Sequence, residues 1–348
     1  MLDWSFTLAL VTNGVLIGLM YSLIALGFVL VYKATDAINF AQGEFVMLAG
    51  FLIAGMMVMG GAPFWLSVVV GVAAMVAFGF GLERIVLRPL IGRPIIAVIM
   101  ATIGLATVLR GAAPLWLAVV LAIASLVAFG FVLERVMLRK LIGRPVIAVV
   151  MATIGLASIL RGLGPFTIFS GTKPLPLPIR DEPFMLGPLF IPPIQLLGAG
   201  VSLAFLAGFG WFFLKSRKGI AMRAVADNQQ VAMAMGIDVE RYFGVAWAMT
   251  GIVSALGGIL WGNLLGVDVN LALVGFKVFP VVILGGLDSI PGAILGGLIV
   301  GVVENIAAGY VDPYVGGGTK DFAPYVLMIM ALMVRPYGIF GMKIIERI

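Results

Sequence analysis

The sequence contains no cysteine and no histidine among its 348 residues. Without cysteine, neither a disulfide nor a cysteine-based metal site can form. Without histidine, the usual proton shuttle near neutral pH, the Ser–His nucleophile pair and the commonest metal ligand are all missing. Charged residues are also scarce, at 11% of the chain, against about 25% in soluble domains. We therefore expect no catalytic cluster and no bound cofactor.

Apolar residues are what the chain has in excess. They make up 62% of it, and the mean hydropathy is +1.18. A soluble protein of this length could not bury so many apolar side chains in its core. Lipid must therefore be the solvent for much of the chain. The net charge of +6 has a local explanation, because the basic residues lie in short loops between apolar runs. The composition predicts a polytopic protein embedded in a lipid bilayer. It does not predict a nucleic-acid-binding protein.

The apolar runs predict an all-α bundle over residues 1–348, a single transmembrane domain with about ten spans, some of them short or broken. The predicted spans are Val11–Tyr32, Glu44–Met59, Phe64–Leu82, Ile95–Leu109, Leu115–Leu133, Val146–Leu160, Leu196–Leu214, Tyr242–Trp261, Phe276–Val303 and Pro324–Val334. Within Phe276–Val303, Gly285-Gly286 is followed by Pro291, which predicts two half-helices that meet at this point.

The basic residues set the predicted orientation. They concentrate in three loops and the tail, namely Arg84–Arg93, Arg135–Arg144, Lys215–Arg223 and Lys343–Arg347. When these segments are placed in the cytoplasm, the N-terminus lies outside and the C-terminus inside. The proline-rich stretch Gly171–Pro193 then becomes an external loop, which we expect to contain no helix.

A tandem repeat occupies the middle of the chain. Residues 62–111 and 113–162 align without a gap, and 35 of the 50 positions are identical. Each copy is apolar, then basic, then apolar, so each enters and leaves the membrane. An even number of crossings can be inserted without inverting the spans on its C-terminal side. Two similar hairpins would compete for one place in the core, which predicts that one copy is dispensable. Either copy could be that one.

The largest cytoplasmic loop is 215–241, and its second half resembles a short helix. Asp227 can cap the helix start, Gln230 follows three residues later as in a capping box, and Gly236 can end it in a left-handed turn. We therefore predict a helix over Asn228–Met235. Its apolar side chains, Val231, Met233 and Met235, either pack on the protein itself or form a docking surface that a cytoplasmic partner moves.

Several polar residues lie at or near membrane depth. Asn39, Gln42 and Glu44 line a substrate path in one interpretation and begin an interfacial helix in the other. Asp288 and Ser289 lie at the break before Pro291, where transporters bind substrates or ions, although simple turn chemistry also explains them. Glu304 follows Pro291 by about 20 Å of helix, so we expect it to extend to the far interface.

Small residues and a repeated threonine suggest helix packing. Gly258-x-x-x-Gly262, Gly292-x-x-x-Gly296 and Gly297-x-x-x-Gly301 place glycines on one helix face, which predicts close packing within the chain, with subunit pairing as the second choice. Thr102 and Thr153 occupy the same position in the two copies, and each is expected to bond a carbonyl of its own helix.

Four segments resemble the LivH-type membrane subunit of branched-chain amino acid ABC transporters. They are 17–51, 223–262, 274–304 and the tail RPYGIFG at 335–341. The chain differs from the usual family motifs at Gln42, where NFAQGE replaces NFAHGE, and at Asp288, where GGLDS replaces GGLGS. The duplication is not a family feature either, since the chain without it would be 51 residues shorter and of ordinary family length.

The resemblance implies a permease of the bacterial inner membrane that imports branched-chain amino acids. It implies three partners, which are a cytoplasmic ATP-binding subunit, a second homologous or identical permease and an external substrate-binding protein. The coupling loop that receives the ATPase would lie at Arg223–Ile237, with Arg223, Ala224, Ala226, Asp227, Asn228, Gly236 and Ile237 as its family-matched residues.

The sequence also indicates whether the chain itself could hydrolyse ATP to drive transport. It has no Gly-x-x-x-x-Gly-Lys-Ser/Thr phosphate loop, so an ATP-driven importer would need its ATPase from another polypeptide. Two alternatives stay open at this point. One is a permease for urea or short amides, and the other is a solitary channel or secondary transporter.

Overall fold

A computed structural model describes residues 4–35, 38–58, 60–84, 102, 171–179, 182–187 and 189–341. Three predicted spans, Ile95–Leu109, Leu115–Leu133 and Val146–Leu160, lie outside the described residues except for Thr102. The described helices are α1 (Trp4–Thr35), α2 (Gln42–Val58), α3 (Phe64–Leu82), α4 (Pro193–Lys215), α5 (Arg217–Asp227), α6 (Gln229–Ala234), α7 (Val239–Leu265), α8 (Leu273–Gly285), α9 (Ile290–Val315) and α10 (Thr319–Val334).

Five of these helices are long and apolar enough to cross a membrane: α1, α3, α4, α7 and α9. The helices α2 and α8 are apolar but shorter. The prediction of an all-α polytopic membrane protein is confirmed. The bounds of α3, Phe64–Leu82, are those that its apolar run predicts.

The chain forms two compact units. Unit 1 comprises residues 1–35, 176–242 and 273–348, and unit 2 comprises residues 36–175 and 243–272. Unit 1 therefore holds α1, α4 to α6 and α8 to α10. Unit 2 holds α2, α3 and most of α7, together with a short 3-10 turn at Val269–Ala272.

In unit 1, α1 and α9 touch through their backbones. A side chain at Gly18 would place its Cβ 2.7 Å from the carbonyl oxygen of Gly297, and Gly14 meets the backbone of Val302 in the same way. Ser22 extends this contact, since its hydroxyl donates to the carbonyl of Ile294 at 3.1 Å. The predicted packing role of Gly297-x-x-x-Gly301 is confirmed, because both glycines face α1.

The predicted break lies between α8, which ends at Gly285, and α9, which begins at Ile290. However, the prediction of two half-helices is wrong for α9, whose 26 residues reach Val315 and suffice to cross a bilayer. The run continues past Val303 because Glu304 is accommodated inside the protein and does not end the helix.

The C-terminal tail closes the end of α8. The backbone N–H groups of Ile339 and Phe340 donate to the carbonyls of Leu284 and Gly285 at 2.8 and 3.0 Å. Helix ends leave such carbonyls without intrahelical partners, so the tail caps α8. Gly338 allows this close approach with a φ of 76°.

In unit 2, α7 lies against both α2 and α3. Gly258 of α7 meets α2, since its Cβ would lie 2.7 Å from the amide nitrogen of Gly50. Gly251 of α7 meets the backbone of Met75 in α3. The edge of the Phe45 ring meets Phe78 at a centroid distance of 5.1 Å. Among the described residues of unit 2, α2 and α3 therefore pack on α7 and on each other.

The proline-rich loop contains structure that its composition does not predict. An antiparallel hairpin joins β1 (Phe184–Leu186) to β2 (Leu189–Ile191), with Phe184 opposite Ile191. Gly187 lies in the turn with a φ of 61°. Strands of three residues are too short to give an alternating pattern, so the sequence predicts only an irregular loop here.

Candidate functional site

The predicted coupling loop 215–241 lies in unit 1 and consists mainly of two short helices. Its first half is α5, which the sequence reading missed. The signal for α5 is Ser216, whose hydroxyl oxygen accepts from the amide of Gly219 at 2.9 Å and caps the helix. A serine directly before an amphipathic run is a common helix start.

The second half, α6, confirms the predicted helix but corrects its cap. Asn228 caps it, because the Asn228 side-chain oxygen accepts from the amide of Val231 at 2.9 Å. The prediction that Asp227 caps this helix is wrong, since Asp227 is the last residue of α5. A residue that continues a preceding helix has helical backbone angles and cannot serve as the extended cap residue.

The end of α6 is the left-handed turn that Gly236 predicts, with a φ of 81°. The amides of Gly236 and Ile237 donate to the carbonyls of Met233 and Ala232, both at 3.0 Å. This is the Schellman pattern of a helix C-terminus. Both ends of a six-residue helix are therefore capped, which holds it in place despite its length.

The two helices rest on unit 1 through one face. Val225 and Ala232 are buried, and the Gln229 side-chain amide donates to the carbonyl of Ala34 in α1 at 3.3 Å. The Arg223 guanidinium donates to the carbonyl of Leu214 at 3.3 Å and lies 5.9 Å from the Phe213 ring centre.

The remaining family-matched positions of the loop have smaller roles. The carbonyl of Ala224 accepts from the Asn228 amide at 3.1 Å. Ala226 lines a small pocket together with Lys33 of α1 and Tyr242.

Much of the remaining surface of α6 is exposed and apolar. Val231 and Met233, together with Met235 directly after the helix, are 57%, 55% and 78% exposed. The two interpretations of this helix therefore apply to different side chains. Ala232 packs on the protein itself, while Val231 and the two methionines are exposed apolar side chains, of which the methionines are flexible.

In unit 2, two polar residues near the start of α2 form a buried cluster with one residue of α7. The Asn39 amide donates to the Gln42 side-chain oxygen at 3.3 Å, and the Gln42 amide donates to the Ser254 hydroxyl at 3.2 Å. All three side chains are at most 1% exposed. The sequence reading missed Ser254, whose signal is a hydroxyl within an otherwise apolar segment of α7.

Glu44 lies in the first turn of α2 and is 1% exposed. Its position fits an acidic residue near a helix N-terminus, but its burial differs from that of an interfacial residue. The Trp247 indole N–H is also buried in unit 2 and has no hydrogen-bond partner among the residues that the structure describes. This part of unit 2 therefore concentrates polar groups inside an apolar bundle.

Asp288 and Ser289 belong to unit 1 and form the turn between α8 and α9. The Ser289 hydroxyl oxygen accepts from the amide of Gly292 at 3.0 Å, so Ser289 caps α9. Asp288 lies in the turn and is partly exposed. Ser289 thus has a structural role in starting the helix.

Glu304 is buried inside unit 1, so the prediction that its side chain extends outward to the far interface is wrong. It is 4% exposed, and its carboxylate accepts from the Lys277 ammonium of α8 at 3.1 Å. Lys277 also pairs with Asp321 of α10 at 3.1 Å, and the Tyr21 hydroxyl of α1 hydrogen-bonds Glu304. A buried carboxylate needs such partners. Lys277, a lone charge inside an apolar run, could have indicated a buried partner for Glu304, but the sequence analysis did not consider it.

Thr102 makes a contact that the sequence does not predict. Its hydroxyl donates to the carbonyl of Ile38 at 3.4 Å, so it bonds a different segment of unit 2. Thr153, its equivalent in the second copy, lies outside the described residues.

Known proteins resemble this chain over most of its length. The profile of a family described as "Branched-chain amino acid transport system / permease component" matches residues 10–111 and 97–334. The high-affinity branched-chain amino acid transport system permease protein LivH of Salmonella typhimurium is 30% identical over 349 residues, which cover 97% of this chain and 96% of that protein.

Two further relatives come from other organisms. The permease protein BraD of Pseudomonas aeruginosa is 29% identical over 97% of this chain and 96% of its own length. The probable LivH of Methanocaldococcus jannaschii is 27% identical over 92% of this chain and 88% of its own length.

Proposed function

Because the chain belongs to the family of branched-chain amino acid transport system permease components, we propose that it is the membrane-spanning permease of an ATP-driven importer for branched-chain amino acids. The names of the relatives support this substrate class. In this proposal residues 1–348 form one permease domain that passes substrate and carries out no chemistry. A cytoplasmic ATPase, an external binding protein and a second homologous permease complete the importer.

The exposed apolar side chains of α6 and its C-terminal end carry this proposal. Val231, Met233 and Met235 offer apolar contacts, of which the methionines are adaptable, on a helix that is capped at both ends. A rigid helix transmits a push without bending, and α6 is held on α1 through Gln229. ATP binding by the partner would therefore reach the spans of unit 1 through the coupling segment Arg223–Ile237.

Purification of the tagged chain from its own membranes tests this function. We expect a nucleotide-binding subunit to copurify with the parent chain and to be lost when Met233 and Met235 are both changed to Asp. Ile220→Asp is the matched control, because Ile220 is 52% exposed on the neighbouring α5 and should retain the subunit. Recovery of the ATPase with the double variant would exclude α6 as the docking surface.

The placement in the cell follows from the same proposal. The basic loops support an inner-membrane protein with the N-terminus outside and the C-terminus in the cytoplasm. This orientation brings α5 and α6 to the cytoplasmic side, where an ATPase can reach them. It also brings the hairpin of β1 and β2 to the outer side, where a binding protein docks.

The buried cluster of Asn39, Gln42 and Ser254 is the proposed polar lining of the substrate path, together with Glu44. Side-chain amides and hydroxyls can hydrogen-bond the ammonium and carboxylate groups of an amino acid without placing a further charge in the membrane. Asp288 and Ser289 are the proposed counterpart in unit 1, at a helix break of the kind that transporters use.

A further inference from the structure

We propose that the first copy of the repeat, residues 62–111, completes the core of unit 2, and that the second copy, residues 113–162, is dispensable for assembly. The duplication leaves two similar segments for one place, and their sequences alone do not decide between them. The inference rests on packing in unit 2 and does not depend on the transported substrate.

The first observation is that α3, which comes from the first copy, fits closely against α7. Gly79 faces the backbone of Trp247, and an added Cβ would overlap that carbonyl oxygen. One turn earlier, Met75 is fully buried, and its backbone faces Gly251. Contacts between backbones require small residues at fixed positions. Only a helix with small residues at these positions can therefore pack where α3 does.

The second observation is that the two copies differ where this place is tightest. Gly71 faces Ile53 of α2, and an added Cβ would overlap the Ile53 side chain. Ile53 is fully buried, so it has little room to move aside. The second copy carries Ala122 at the position of Gly71. Its extra methyl group would overfill the contact, and overfilled cores are destabilised.

The third observation is that the second half of the first copy also reaches unit 2. Thr102 is 1% exposed and donates to the carbonyl of Ile38, one residue before Asn39 of the polar cluster. Both halves of the first copy therefore contact α2 or the segment that leads into it.

Two shortened chains of equal length test the assignment. One lacks residues 113–163 and keeps the first copy, and the other lacks 62–112 and keeps the second. Each loses 51 residues and an even number of crossings, so the predicted orientation is unchanged. We expect the chain with the first copy to insert, and to unfold in detergent at a temperature close to that of the full chain. The chain with the second copy should unfold several degrees lower.

Reciprocal substitutions identify the contact responsible. Gly71→Ala should lower the unfolding temperature of the chain with the first copy, and Ala122→Gly should raise that of the chain with the second. Equal stability of the two shortened chains, or a more stable chain with the second copy, would overturn the assignment. Failure of the chain that keeps the first copy to insert would overturn the dispensability of the second.

A matched pair in the full-length chain gives an answer even where the deletions fail to insert. Gly79 and Gly130 are equivalent positions in the two copies. We expect Gly79→Val to lower the unfolding temperature and Gly130→Val to leave it unchanged. An equal loss from both variants, or a loss from Gly130→Val alone, would contradict the inference. Because stability is the readout, these results are separate from whether the chain transports branched-chain amino acids.

Discussion

Single side chains in this protein are stabilised by partners that come from distant parts of the sequence. Glu304 illustrates this, because its carboxylate is buried and depends on Lys277 and Tyr21. A buried charge without a partner is costly, so the pair limits what either position tolerates. Asp321 adds a second contact to Lys277, but it is largely exposed, and exposed ion pairs contribute little.

Replacing Lys277 tests whether the buried Glu304 carboxylate depends on it. We expect Lys277→Met to destabilise the protein by roughly 3 kcal/mol, because breaking a buried pair leaves an uncompensated charge. A second change, Glu304→Met, should restore most of the loss. Thermal unfolding in detergent measures both variants. Lys320→Met is the control, since Lys320 is exposed, and a Lys277→Met protein as stable as the parent would contradict the argument.

Ser254 provides a test of the proposed path. Ser254→Ala removes the acceptor of the Gln42 amide, and a buried donor without a partner costs about 1–3 kcal/mol. We expect lower stability and, per molecule inserted in the membrane, several-fold slower uptake of leucine. Ser67→Ala is the control, because the Pro63 carbonyl that Ser67 bonds also accepts the Ser67 amide. Unchanged uptake would exclude Ser254 from the path.

At the scale of whole elements, the tail is the clearest case of one segment supporting another. It caps α8 through two backbone hydrogen bonds, at a place where Gly338 has a positive φ. The two family-like segments 274–304 and 335–341 therefore meet in space. Their separation in the sequence gives no sign of this contact.

Gly338→Val should detach the tail. A β-branched residue at a φ of 76° is strained, typically by about 1–3 kcal/mol, and its Cβ would lie 2.6 Å from the carbonyl of Ile283. We expect faster proteolysis within 335–341 and faster amide exchange at the end of α8. Arg335→Ala should change neither, since the Arg335 side chain is exposed. A tail that stays protected in the Gly338→Val protein would argue against the capping role.

Long apolar helices were predictable, whereas short elements and distant pairings were not. The run Phe64–Leu82 gives α3 directly because its length and composition suffice. Capping was predictable in kind but not in position, since Asp227 and Asn228 are both good cap residues, and Asn228 is the cap because the unpredicted α5 extends through Asp227. The hairpin and the Lys277–Glu304 pair depend on contacts between segments far apart, which local patterns cannot show.

In the candidate site, too, single residues were predictable, whereas contacts between distant segments were not. Asn39, Gln42 and Glu44 could be identified as candidate site residues from the sequence, because polar residues at membrane depth are costly and usually have a function. Ser254 could not be assigned to the same cluster, since 212 residues separate it from Gln42. The exposed apolar side chains of this helix were predictable only as a choice, since its residues Val231, Met233 and Met235 fit both packing on the protein and docking of a partner.

At the scale of the whole molecule, the proposed orientation can be tested directly. The chain has no cysteine, so single cysteines can be introduced without background labelling. We expect Tyr314→Cys to react with a membrane-impermeant maleimide added to intact spheroplasts, because Tyr314 is 89% exposed at the proposed outer side. Lys218→Cys should react only after the membrane is opened. The reverse pattern would invert the orientation.

The contact between α1 and α9 affects how this protein can vary. Gly14, Gly18 and Gly301 meet backbone atoms across this contact, and Gly297 meets the backbone of Gly18 and the Ser22 hydroxyl. Backbone atoms cannot move aside as a side-chain rotamer can, so an added atom is hard to accommodate at these positions. In a survey of all single substitutions, these four glycines should be among the least tolerant sites, although none of them belongs to the proposed substrate path.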